Sequence, residues 1–173
     1  MDLGELTEKA VRSIDRETEP LGKGDDGIVY LINEKVVLKL HRGIRRQGKA
    51  PYFYHGSSRD SAEHEFNIGM ELYQHELQVP QFYGLFEPRR SSPLNCWGIF
   101  MERITGTCYK ELPGWLKKEV RRQFKDQERL IIRLDYKQID SYSDYNTLFD
   151  RQKRKLYLYD FVRWERSHGF RQK

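Results

Sequence analysis

Leu3, Leu6, Ala10, Val11 and Ile14 recur every three or four residues, which predicts a short amphipathic helix over 3–16. The period then changes. "GIVYLI" and "KVVLKL" are β-rich runs joined by "NEK", and together they predict a hairpin. Residues 41–60 are basic, aromatic and glycine-containing, and read as a loop. Helical periodicity returns from Ser61 to about Gln78, through Phe66, Met70, Leu72 and Tyr73. Ser61 is placed to cap this second helix, acids follow in its first turn, and Pro80 closes it. "QFYGLFEP" and "CWGIFMERI" predict two more strands around the turn "RRSSPLN". A long helix rich in Lys and Arg runs from Leu112 to about Leu134. Beyond it come a loop from Ile139, a short strand at "NTLF", the turn "DRQKR" and the strand "KLYLYDF". This order lacks the strand–helix alternation of a doubly wound sheet. It predicts an α+β fold: an antiparallel sheet with a helix packed on it, then a mostly helical second part.

Composition narrows the class. The 173 residues are 38% hydrophobic and 33% charged, which suits one globular domain or two small lobes. No apolar run reaches the roughly 18 residues of a membrane span. "MDLGELTEKAVRSIDRETE" is acidic and amphipathic, unlike a signal peptide. Cys96 and Cys108 show neither metal spacing nor a disulfide framework. These features predict a cytoplasmic protein. Charge is uneven: residues 110–173 carry 17 Lys and Arg against 10 Asp and Glu, while residues 1–109 carry 14 against 16. A basic C-terminal end points either to a polyanionic partner or to an ordinary solvated surface.

The chemistry begins at "LGKGDDGIVYLINEKVVLKL". Gly22, Gly24 and Gly27 precede Val29 in the pattern G-x-G-x-x-G-x-V, a loop type that lets backbone approach phosphate oxygens without a Cβ between them. The glycines lead into a strand, which disfavours a Rossmann turn. Twelve residues after Gly27, Lys39 interrupts an apolar run. An ammonium on a buried strand face needs a partner, because its desolvation is otherwise costly. A carboxylate and a nucleotide's phosphates would supply one; a solvent-facing edge lysine is the plainer alternative.

With these residues the chain resembles the protein-kinase-like superfamily, most closely its small atypical members of the RIO type, from Leu21 to Phe161. The resemblance implies a two-lobed fold: residues 1–104 as a sheet-bearing N-lobe with one long helix, and residues 105–173 as a minimal, mostly helical C-lobe. In that family a helix glutamate pairs with the strand lysine. Glu65 in "AEHEFNIGMELYQHELQ" matches it best, since Glu63 points elsewhere and Glu76 comes too late. "GIFMERITG" resembles the hinge between lobes, with backbone at Glu102 to Ile104 facing a purine and Met101 beside the base. "SDYNTLFDRQKRKLYLYDF" resembles the catalytic loop and metal-binding strand. There Asn146 takes the metal-binding asparagine's position, and Asp160-Phe161-Val162 takes that of Asp-Phe-Gly. An amide oxygen and a carboxylate are hard ligands suited to magnesium or manganese. The implied cofactors are ATP or GTP with such a metal.

Two positions depart from the family. Its catalytic aspartate stands five residues before the asparagine, where this chain has Ser141. Asp140 is adjacent and is taken as the base, with Asp144 nearby as the alternative. Val162 replaces the glycine, and 173 residues leave no room for the substrate-binding helices of ordinary protein kinases. Another means of holding a substrate is therefore expected. Arg42, Arg45 and Arg46 precede Tyr52, Phe53 and Tyr54; Lys118, Arg122 and Lys125 share a helix face; Lys153, Arg154 and Lys155 crowd one turn. Cations interleaved with aromatic rings suit nucleic acid. In size and charge the chain is similar to archaeal RNA kinases that phosphorylate a ribose 2′-hydroxyl in tRNA. The implied activity is phosphoryl transfer to RNA. A RIO-like protein serine/threonine kinase and a pseudokinase that binds nucleotide or RNA without turnover are the alternatives.

Overall fold

The computed structural model describes residues 2–15, 17–24, 26–42, 57–88, 94–138, 146–161 and 164–166. They divide into two compact units. The first comprises Met1–Asn67 with Gln81–Arg103; the second comprises Ile68–Pro80 with Ile104–Lys173.

In the first unit the initial helix, α1, runs Leu3–Ser13, shorter than the pattern predicted. Asp2 caps it, its carboxylate accepting from the amides of Gly4 and Glu5. The strands β1 (Gly22–Lys23), β2 (Gly27–Asn33), β3 (Val36–His41), β4 (Phe82–Phe86) and β5 (Gly98–Glu102) form one antiparallel sheet in the order β1-β2-β3-β5-β4. β3 is central and every residue in it is buried, which means both sheet faces are covered there. Alternation sorts its side chains. Val36, Leu38 and Leu40 join Leu6, Ala10 and Ile14 of α1, together with Ile32, Phe86 and Phe100, in one apolar cluster. Val37, Lys39 and His41 must then face the other way.

The second helix, α2, spans Ser58–Gln74 and begins three residues before Ser61. Its start is a reciprocal box: the Asp60 amide donates to Ser57 Oγ at 3.2 Å, and the Ser57 amide donates to the Asp60 carboxylate at 3.1 Å. Ser61 lies inside the first turn, and its hydroxyl donates back to Ser57 O. Nor does Pro80 end this helix. The amide of Leu77 reaches Leu72 O and that of Glu76 reaches Tyr73 O, with Glu76 at φ 61°. This Schellman closure uses a glutamate where glycine is usual.

Gly27 is dictated by packing. A Cβ there would stand 2.5 Å from the Leu40 carbonyl oxygen. Gly22 has nothing within 4 Å of such an atom. Gly27→Ala is therefore expected to cost about 1–3 kcal/mol by forcing β2 away from β3, whereas Gly22→Ala changes little; thermal melts of the two variants check this.

The second unit places α3 (Gly114–Arg133) over a three-stranded sheet of β6 (Thr107–Cys108), β8 (Thr147–Asp150) and β9 (Lys155–Leu158), in the order β6-β8-β9. Leu112, Leu116 and Val120 pack on Phe149 and Leu156. Two glutamines one turn apart on α3 bind the edge of β9. Gln123 Oε1 accepts from the Leu156 amide and its Nε2 donates to Arg154 O. Gln127 Nε2 donates to Leu156 O while its Oε1 accepts from the Gln78 amide. The buried backbone of that edge is thereby satisfied. β7 (Tyr136–Gln138) pairs separately with β10 (Trp164–Arg166), a pairing the hydrophobic pattern did not predict.

Candidate functional site

The sheet register collects the sequence-predicted nucleotide residues on one face. Val29 and Ile99 stand opposite Lys39 on its two neighbouring strands; Gly27 stands opposite His41, and Met101 opposite Val37. Directly paired residues share a face. Gly27, Val29, Lys39 and Met101 therefore lie on the side away from α1.

Lys39 meets Glu65 of α2 there. Its Nζ donates to both carboxylate oxygens, at 2.9 and 2.7 Å. The lysine side chain is 9% exposed and the glutamate 1%. Two charges so far from water persist only in good mutual geometry, and this bidentate contact provides it. Glu63, which the sequence set aside, turns outward and pairs with Arg59.

A third group went unnoticed in the sequence. His41 is fully buried, with Nε2 3.3 Å from Glu65 Oε2. The signal was present: two residues beyond Lys39 on a strand is the same face. One carboxylate thus holds an ammonium by two hydrogen bonds and has an imidazole beside it.

The glycine loop closes through its own backbone. The Gly24 amide donates to Gly27 O at 3.0 Å, and Leu21 N to Val29 O at 2.8 Å. The Gly24 amide is therefore committed to the turn. None of Gly22, Gly24 and Gly27 adopts positive φ, and no atom lies within 4 Å of a Cβ at Gly22 or Gly24. Gly22 and Gly24 leave open space above the strand, while Gly27 permits the close approach of β3. In the predicted hinge, the Glu102 amide donates to Gln81 O and the Arg103 amide to Lys35 O.

Asn146 and Asp160 are 14 residues apart in the chain. β8 and β9 pair antiparallel, Thr147 opposite Leu158, and one step further the Tyr159 amide donates to Asn146 O at 3.1 Å. The two residues therefore sit at the same open end of one hairpin, both half-buried. Asp160 has φ 69°, a conformation asparagine and aspartate tolerate better than most. Phe161 beside it is fully buried against Trp164, edge to face at 5.1 Å, which anchors the turn. A carboxylate and an amide oxygen are hard donors of the kind a divalent cation takes.

Other predicted residues are dispersed. Arg42 is exposed, with its amide donating to Asp26 O. Lys118, Arg122 and Lys125 are exposed on α3. Lys153 lies 3.8 Å from Asp150 and over the Tyr157 ring, Arg154 pairs with Glu119, and Lys155 is exposed at the start of β9. Asp140, Ser141, Asp144, Arg45 and Arg46 lie outside the described residues.

No family model and no curated protein matches the chain. Among solved structures, it is similar to the Rio2 kinase–ADP/Mg²⁺–phosphoaspartate complex from Chaetomium thermophilum, with a TM-score of 0.60 over 96% of this chain. The fold is protein-kinase-like. Sequence identity to that kinase is 16%, and the chain spans about half of its length, 52%. The antiparallel five-stranded sheet with a long helix on one face accords with that fold. Among the described residues, no helix is long and apolar enough to cross a membrane.

Proposed function

We propose that this protein is a nucleoside-triphosphate-dependent phosphotransferase whose acceptor is a ribose 2′-hydroxyl in tRNA. The observation that carries the reading is the buried Lys39–Glu65 contact on the sheet face that also bears Gly27, Val29 and Met101. A buried lysine presented by a rigid carboxylate, beside an open glycine turn, is suited to polyanionic phosphate. Lys39 would contact the phosphates of ATP or GTP, and Glu65 would hold the ammonium in place. Asn146 and Asp160 would bind Mg²⁺ or Mn²⁺. The metal, when bound, neutralises charge on the transferring phosphoryl group. Asp140, or else Asp144, would orient or accept the proton of the attacking hydroxyl. Since phosphoryl transfer relies chiefly on positioning and electrostatics, a displaced base is compatible with turnover. Supporting an RNA acceptor are the net basic charge of residues 110–173 and the exposed cations of α3.

The test is transfer from γ-labelled ATP and GTP, with Mg²⁺, to total tRNA and to mixed protein, followed by mass mapping of the labelled fragment. The reading expects one phosphate on a single tRNA fragment, at a ribose. Label on protein alone favours the RIO-like kinase reading, and nucleotide binding with no transfer favours a pseudokinase. Asp160→Asn is expected to lower transfer by about 10²-fold or more. Chelation of divalent cation should abolish transfer in the wild type.

A further inference from the structure

α3 carries a row of positive charge that the fold does not use. Its buried side is Leu116, Val120, Gln127 and Ile131. At 100° per residue, Lys118, Arg122, Lys125 and Arg129 fall within a 60° sector on the opposite side. All four are exposed. Arg129 lies 3.5 Å from Asp126; no ion pair involves the other three among the described residues. The acids of α3 flank this sector, and Glu119 turns away to Arg154. At the N-terminal end of the row stands Trp115, 72% exposed. A lone exposed apolar side chain is unremarkable, but an indole heading a row of exposed cations is a different object. From Trp115 to Arg129 the row covers about 21 Å of helix.

We infer that this face of α3 is a docking surface for single-stranded RNA, with Lys118, Arg122 and Lys125 on the phosphate backbone and Trp115 stacking on an unpaired base. A cationic track beside an exposed ring matches a charged strand whose bases are free to stack, whereas a duplex keeps its base faces hidden. The choice of RNA over DNA rests on the proposed acceptor. Lys153 and Arg154 take no part: Lys153 lies beside Asp150 of its own turn, and Arg154 pairs with Glu119 of α3.

The test uses the full chain and a fluorescently labelled oligouridylate. Trp115→Ala is expected to weaken binding by roughly 5–150-fold, the range for one lost base stack, and Trp115→Phe to restore most of it. Neutralising Lys118, Arg122 and Lys125 together to Gln should reduce the slope of log K against log salt by about 2, at about 0.7 per phosphate contact for single strands. Oligouridylate affinity and salt slope unchanged in both variants overturn the inference, as does loss of binding to phosphatidylserine vesicles in place of RNA. Equal binding of the deoxy oligomer overturns the choice of RNA. The surface and the activity fail separately. If wild type phosphorylates tRNA while the α3 variants bind as wild type does, the surface is wrong and the kinase reading stands. If wild type binds through Trp115 but phosphorylates no RNA, the reverse holds.

Discussion

Lys39→Met is expected to lower phosphoryl transfer by about 10²–10³-fold at saturating nucleotide, the effect typical of removing one preorganised charge from a developing transition state. Nζ is fixed by two hydrogen bonds and is nearly dry, so its field acts in a low dielectric. Lys39→Arg should not rescue the rate, because a planar guanidinium cannot replace a compact ammonium in a site walled by Val29, Ile99 and Glu65. Removing the lysine also takes the bidentate donor from the buried Glu65 carboxylate, a loss of stability that can mimic a catalytic one. Pairing Lys39→Met with Glu65→Leu removes that ambiguity. The double variant should melt near the wild type and still transfer no faster than Lys39→Met. Initial rates with γ-labelled nucleotide, alongside circular dichroism melts, measure both quantities.

Glu65→Leu alone is expected to give the largest loss of stability. It leaves the Lys39 ammonium and the His41 ring buried without the carboxylate that faces them. Breaking a buried ion pair on one side typically costs about 3–5 kcal/mol. For a chain of this length that corresponds to roughly 6–20 °C in melting temperature. Replacing both partners with apolar groups is often neutral, so much of the loss should return in the Lys39→Met, Glu65→Leu double variant. A double variant no more stable than Glu65→Leu would mean that the coupling is weak. His41→Phe should fall between these extremes: it removes one contact to Glu65 and leaves the lysine paired.

The element pattern was legible where apolar periodicity was strong. The two hairpin strands around "NEK", the strands of "QFYGLF" and "GIFME", and both long helices lie where their spacing placed them, with ends shifted by a few residues. The ends moved for local reasons. The Ser57–Asp60 box outcompeted Ser61 as a cap, and the positive φ of Glu76 closed α2 before Pro80 was reached. Strands of two or three residues, such as Gly22–Lys23 and Thr107–Cys108, carry too few positions to show a period. Lys39 was conspicuous because it broke an apolar run, and Glu65 because its helix position matched a known pattern. His41 was not conspicuous. Followed by Arg42, it looks like the start of a basic loop, and only the sheet register reveals that its ring faces inward beside Glu65. Gln123 and Gln127 were hidden for a similar reason. On a polar helix two glutamines look like solvent-facing residues until the edge of β9 lies against them.

The central claim is that the ammonium of Lys39 meets nucleotide phosphate. A crystal structure of the protein soaked with a non-hydrolysable ATP analogue and Mg²⁺ tests it most directly. The expected density places a phosphate oxygen about 3 Å from Lys39 Nζ, with the Lys39–Glu65 contact kept. An analogue bound elsewhere, with Lys39 still enclosed by Glu65 and apolar side chains alone, would contradict it.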